Sequence, residues 1–101
     1  MSASKSILHT LNKPVDSAVA ERLLDELDRS DAVLLLGQAV TLSGQGPEAL
    51  APWLQCGAKL YALIEDVQAY GVEAKCDAVE LVDYAGWVTL SERYALHRHW
   101  R

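Results

Sequence analysis

Two kinds of apolar pattern alternate along this chain. The first is the short unbroken run. Ala32 to Leu36, AVLLL, is the most hydrophobic, and Leu60 to Ile64, LYALI, is the next. Runs of this kind suit strands covered on both faces. Ser6 to Leu11 reads as a first strand, closed by Asn12-Lys13-Pro14, since proline disfavours helix in the residue before it. Ala78 to Val82 reads as a last strand, with Asp83 at its carboxyl end. The second pattern is helical. Ala20, Leu23, Leu24 and Leu27 fall at i, i+3, i+4 and i+7 within Asp16–Asp28, with Glu21, Arg22, Asp25 and Glu26 mostly off the stripe. Asp16 or Ser17 caps that segment. Pro47 suits a first helical turn, Ala49, Leu50, Trp53 and Leu54 form an apolar face, and Gly57 stops the segment.

The stretch Lys59–Val72 organises the rest, because it holds a strand, a tight turn and a helix together. Glu65 and Asp66 follow the strand and face the unpaired N–H groups of a first helical turn. Val67 and Tyr70 share the inward side, and Gly71 ends the helix. Gln38 to Leu42 reads as a short helical turn, Ser43 to Pro47 as a loop and Glu73 to Asp77 as a polar connection. Tyr84 to Leu96 carries a final helical pattern through Trp87, Leu90 and Tyr94. Strands alternating with helices over short loops imply parallel pairing and right-handed crossovers. The expectation is a single three-layer α/β/α domain over residues 1–101, with a small, mainly parallel sheet of four or five strands and helices on both faces.

Composition narrows this picture. The chain has 101 residues, which allows one domain, and no Phe, so its aromatic packing rests on four Tyr and three Trp. A domain of this size buries roughly 65% of its unfolded surface. No run approaches the ~18 apolar residues of a membrane span, and the N-terminal MSASKSILHTLNK lacks the apolar core of a signal peptide. Two cysteines without a secretion signal imply a cytoplasmic location with reduced thiols. The net charge of −5 conceals an asymmetry: residues 1–92 carry fourteen acids and six bases, −8, whereas RYALHRHWR at 93–101 carries three arginines and no acid, +3. An acidic body argues against gripping a nucleic-acid backbone. The basic end reads first as a solvated tail or as compensation for helix carbonyls, and second as a contact for RNA or an acidic partner.

Gly44-Gln45-Gly46 is a bare G-x-G without a following Lys-Ser/Thr and meets neither phosphate-loop pattern. His9 sits on a predicted strand as a packed or hydrogen-bonded core histidine. His97 and His99 are two apart, so on a helix they would point away from each other, and they form no ligand cluster by spacing. Cys56 lies near the end of a helical segment, where the negative end of the helix dipole blunts thiol reactivity. At Cys76, in the loop before the last strand, Lys75 and Asp77 act on the thiol in opposite senses. The two are not a C-x-x-C pair, and both read as incidental or buried thiols. The residues themselves therefore indicate no catalytic group, no cofactor and no metal.

Four blocks in order, ILHTLNKP at 7–14, DAVLLLG at 31–37, LYALIEDVQAYGV at 60–72 and VELVDYAGWVTL at 79–90, resemble the TusB/DsrH family of sulfur-relay subunits. The likeness spans nearly the whole chain and includes a tryptophan, Trp100, beside the end. It implies a DsrE/F/H-like fold and a place as the smallest of three related subunits, assembled as a heterotrimer that doubles to a heterohexamer. In the Tus branch such a complex passes persulfide sulfur along cysteines towards 2-thiolation of the wobble uridine of certain tRNAs. In the Dsr branch it serves sulfur oxidation. The principal acceptor cysteine belongs to the TusD/DsrE-type subunit. Some DsrH members carry a cysteine in the first helical segment, but Val15–Asp28 here has none, which favours the TusB side. The family's Asp-Gly-Val after the second strand is replaced by Gly37-Gln38-Ala39-Val40. The resemblance thus implies a non-catalytic subunit whose partners are TusC/DsrF-type and TusD/DsrE-type chains, with tRNA met only indirectly. The alternatives are a DsrH-like subunit of a sulfur-oxidation relay, a persulfide carrier using Cys76 or Cys56, and a free-standing dimer or small-ligand module. Trp87 and Trp100 suit interface anchors, and Tyr61 suits the core of a Phe-free domain.

Overall fold

The structure, a computed structural model, describes residues 6–14, 16–73 and 78–101. Five strands, β1 (Ile7–Leu11), β2 (Ala32–Leu35), β3 (Lys59–Leu63), β4 (Val79–Val82) and β5 (Leu96–Trp100), form one sheet in the order β4-β3-β2-β1-β5. Every pairing is parallel, with Leu11 opposite Leu35, Val33 opposite Leu60, Leu60 opposite Val79 and Thr10 opposite His99. Four α-helices connect them: α1 (Ala18–Glu26), α2 (Pro47–Leu54), α3 (Ile64–Ala69) and α4 (Tyr84–Arg93). This is the parallel α/β architecture expected from the alternation of patterns.

The two faces are covered unequally. On one, Leu11, Val33, Leu35, Leu60 and Ala62 pack with Leu23 of α1, Leu50 and Trp53 of α2 and Val67 of α3. On the other, Leu8, Leu34 and Tyr61 meet Leu90 and Trp87 of α4 alone. That helix carries the chain from one edge of the sheet to the other. Ten residues of helix reach about 15 Å, while four strand spacings are about 19 Å, so the short connections at each end supply the difference.

Local chemistry explains the boundaries. Ser17 is the cap of α1, its hydroxyl accepting from the Ala20 N–H at 3.2 Å. Asp83 caps α4 by accepting from Gly86 N–H at 2.8 Å. Gly37 ends β2 at φ +51°, a left-handed turn that glycine adopts freely, and its N–H donates to Asp66 Oδ2 at 2.8 Å. The helical turn expected over Gln38–Leu42 is a longer 3-10 helix, Gly37–Gly44, which takes in part of the expected loop. Gly44 allows this, because a Cβ there would stand 2.8 Å from Val72 Cγ1.

The chain's end departs from the sequence reading. The helix expected to reach Leu96 stops at Arg93, and Tyr94 is already extended at φ −101°, ψ 130°. Residues 96–100 are neither a solvated tail nor a helix terminus but strand β5. His97 and His99 therefore share one face, since side chains two apart in a strand point the same way.

Candidate functional site

The strands β1 to β4 add in one direction, and β5 then lies on the other side of β1. The order reverses between β1 and β5, and in open parallel sheets the crevice outside the carboxyl ends at such a point is where ligands bind. A crevice of about 340 Å³ lies there, lined by Thr10, Asn12, Leu36, Trp87, His99, Trp100 and Arg101. No carboxylate side chain is among its walls. The Thr10 hydroxyl and His99 Nδ1 are hydrogen-bonded across the β1–β5 pair.

Behind the crevice, on the face covered by α1, a buried polar chain fixes β5 to the sheet. His9 is fully buried and Asp31 nearly so. Trp100 Nε1–H donates to His9 Nδ1 at 2.9 Å. The indole nitrogen can only donate, so Nδ1 is the acceptor and the imidazole proton sits on Nε2. That proton points to Asp31 Oδ2, 2.9 Å away. The same carboxylate accepts from Ile7 N–H at 3.0 Å and Asp28 N–H at 3.1 Å. Arg98 lies 4.2 Å from the centroid of the Trp100 ring and pairs with Glu26 of α1. His9 is the hydrogen-bonded core histidine expected of it. Trp100 fills the core and is not an outward anchor.

On the α4 face a groove of about 410 Å³ continues from the crevice, sharing Trp87 and His99 and adding Tyr84, Val88, Ser91 and His97. Tyr84 and Trp87 stack with centroids 6.5 Å apart. His97 Nε2 lies 2.8 Å from Ser91 O and 3.1 Å from Tyr94 O, so its N–H caps the end of α4. Among the aromatic residues singled out, Trp87 alone stays half-exposed, while Tyr61 is in the core. Burial beneath α4, then the neighbouring Tyr94 and Glu80, push the Tyr61 phenol above its ordinary value; burial does the same to Tyr94.

The thiols are placed elsewhere. Cys56 is half-buried, and its Sγ–H donates to Trp53 O at 3.6 Å. It follows α2 and precedes β3, so it lies at the amino ends of the strands, opposite the crevice. Cys76 lies outside the described residues. Among the described residues, no group of three or more His, Cys, Asp or Glu is arranged to hold a metal ion, and no helix is long and apolar enough to cross a membrane.

Sequence reasoning missed β5 and the role of Asp31, to which it gave no part. The alternation in Leu96-His97-Arg98-His99-Trp100 was the available signal, masked by the helical spacing of Trp87, Leu90 and Tyr94 just before it.

Comparison with known proteins bears on the whole chain. The family model described as DsrH like protein matches residues 13–96. Protein TusB of Salmonella enteritidis and Protein TusB of Salmonella typhimurium are each 36% identical over 95 residues, covering 93% of this chain and 100% of the relative. The crystal structure of the ychN protein from E. coli superposes with a TM-score of 0.65 over 97% of this chain and all of that one; at 17% identity this likeness concerns the fold. With the family model spanning most of its length and relatives matched end to end, the chain belongs to the DsrH-like family.

Proposed function

We propose that this chain is a non-catalytic, cytoplasmic subunit of a TusBCD-type sulfur relay, in which persulfide sulfur passes towards 2-thiolation of the tRNA wobble uridine. The observation that carries this is the end-to-end match to Protein TusB at 36% identity. The position of Cys56 agrees with it: a half-buried thiol at the end of a helix, on the side of the sheet away from the crevice, is poorly placed for handing sulfur on. The partners on this reading are the TusC-type and TusD-type subunits, and the acceptor cysteine is supplied by the latter.

The test is genetic and chemical together. In cells lacking this chain, 2-thiouridine in the affected tRNAs falls, as measured by nucleoside mass spectrometry. A Cys56→Ser/Cys76→Ser double variant restores it fully if the subunit's role is assembly. Failure of that variant to restore thiolation, with the protein present at normal levels, would assign sulfur transfer to this chain's own thiols.

A further inference from the structure

The crevice and its network do not account for a third region, the trough between β3, the edge strand β4 and the last turn of α4. Two adjoining hollows of about 270 Å³ each share Lys59, Tyr61 and Glu80, and one of them is closed by Arg93. Tyr61 is 4% exposed and lines both hollows; its hydroxyl is not a buried orphan, the one such side-chain atom among the described residues being Glu65 Oε1. Neither Lys59 nor Arg93 is ion-paired among the described residues, where the pairs are His9–Asp31 and Arg98–Glu26. A phenol and two cations outside any ion pair among the described residues thus line one hollow.

We propose that this trough is a binding site for a small oxyanion, a carboxylate or phosphate group, held between Lys59 and Arg93 with the Tyr61 hydroxyl donating to it. Guanidinium and ammonium groups form strong charge-assisted bonds to such oxygens. Because burial keeps the phenol protonated well past neutrality, Tyr61 enters as a donor. Glu80, which stands opposite Tyr61 in the β3–β4 register, opposes the anion. Two cations against one carboxylate leave a local charge of +1, which limits the site to small, weakly to moderately held ligands. The trough lies on the α4 face of the sheet beside β3 and β4, apart from the β1–β5 crevice, and the proposal stands or falls independently of the relay role.

The experiment is an amide-resolved NMR titration of the full chain with inorganic phosphate and, separately, with acetate, ionic strength being held constant with sodium chloride. Saturable shifts at Lys59–Tyr61, Glu80 and Thr89–Arg93 with either anion are expected, and the more effective anion identifies the favoured group. A Lys59→Met/Arg93→Met variant, at surface positions that leave the fold intact, weakens binding about tenfold or more, because both charge-assisted bonds to the anion are lost. Tyr61→Phe weakens it by less, and Glu80→Gln tightens it. Absence of saturable shifts with both anions, or equal shifts in the Lys59→Met/Arg93→Met variant, would overturn the proposal.

Discussion

Replacing Asp31 by Asn isolates the network that holds the fifth strand. The side chains are nearly isosteric, so no cavity opens and the effect is confined to hydrogen bonding. In the native protein Oδ1 accepts from Ile7 N–H, and Oδ2 accepts from both His9 Nε2–H and Asp28 N–H. An amide offers one acceptor where the carboxylate offers two. With its oxygen at the Oδ1 position, the amide nitrogen faces two donors. His9 cannot escape by moving its proton to Nδ1, because the Trp100 indole N–H already points there at 2.9 Å. With the amide turned over, Ile7 N–H loses its partner. The least costly arrangement thus strands one donor and exchanges charge-assisted bonds for neutral ones, a loss of about 2–3 kcal/mol. Against a total stability of roughly 5–15 kcal/mol for such a domain, that is a large fraction, equivalent to ~10–20 °C in Tm. Urea unfolding followed by far-ultraviolet circular dichroism measures it. A loss below about 0.5 kcal/mol, the usual range for surface substitutions, would refute the account of Asp31 as the hub.

Other expectations follow from the same structure. Gly37→Ala destabilises by about 1–2 kcal/mol through the left-handed φ alone, since the new Cβ would meet nothing nearer than Asn12 O at 3.7 Å; Gly37→Asn loses less, and equal losses in urea unfolding would contradict the conformational explanation. Alkaline stability follows the raised phenols of Tyr61 and Tyr94. The unfolded chain ionises its tyrosines near the ordinary value of 10.0, so stability is fully present below that pH and is lost as pH rises through the folded values. Tyr61→Phe makes that loss shallower in denaturation series between neutral and alkaline pH, and an unchanged slope would count against burial as the cause. Leu34→Ala, at a fully buried position in the central strand, lowers stability by ~2–5 kcal/mol in the same urea assay; a loss under about 1 kcal/mol would mean the α4 face is loosely packed.

Much of the architecture was legible because burial on both faces leaves an unmistakable mark. The runs AVLLL and LYALI could only be central strands of a covered sheet, and they are β2 and β3. The cap at Ser17 and the helix opening at Pro47 likewise act locally, so they read locally. The end of the chain was opaque for the converse reason. β5 is an edge strand whose Leu96, His97, Arg98 and His99 are exposed, so its hydrophobic signature reduces to Trp100. The hub at Asp31 was hidden because its partners lie 22 and 24 residues away, at His9 and Ile7, and only β1–β2 pairing brings them together. The four-block resemblance reached the family where no catalytic constellation could.

The central claim is that this chain works as one subunit of a relay assembly, and co-expression tests it most directly. The chain is produced together with its TusC-type and TusD-type neighbours and analysed by size-exclusion chromatography with light scattering. The account predicts co-elution of all three as a single heterohexamer. Elution of this chain by itself, as a monomer or homo-oligomer beside a complex of the other two, would contradict it.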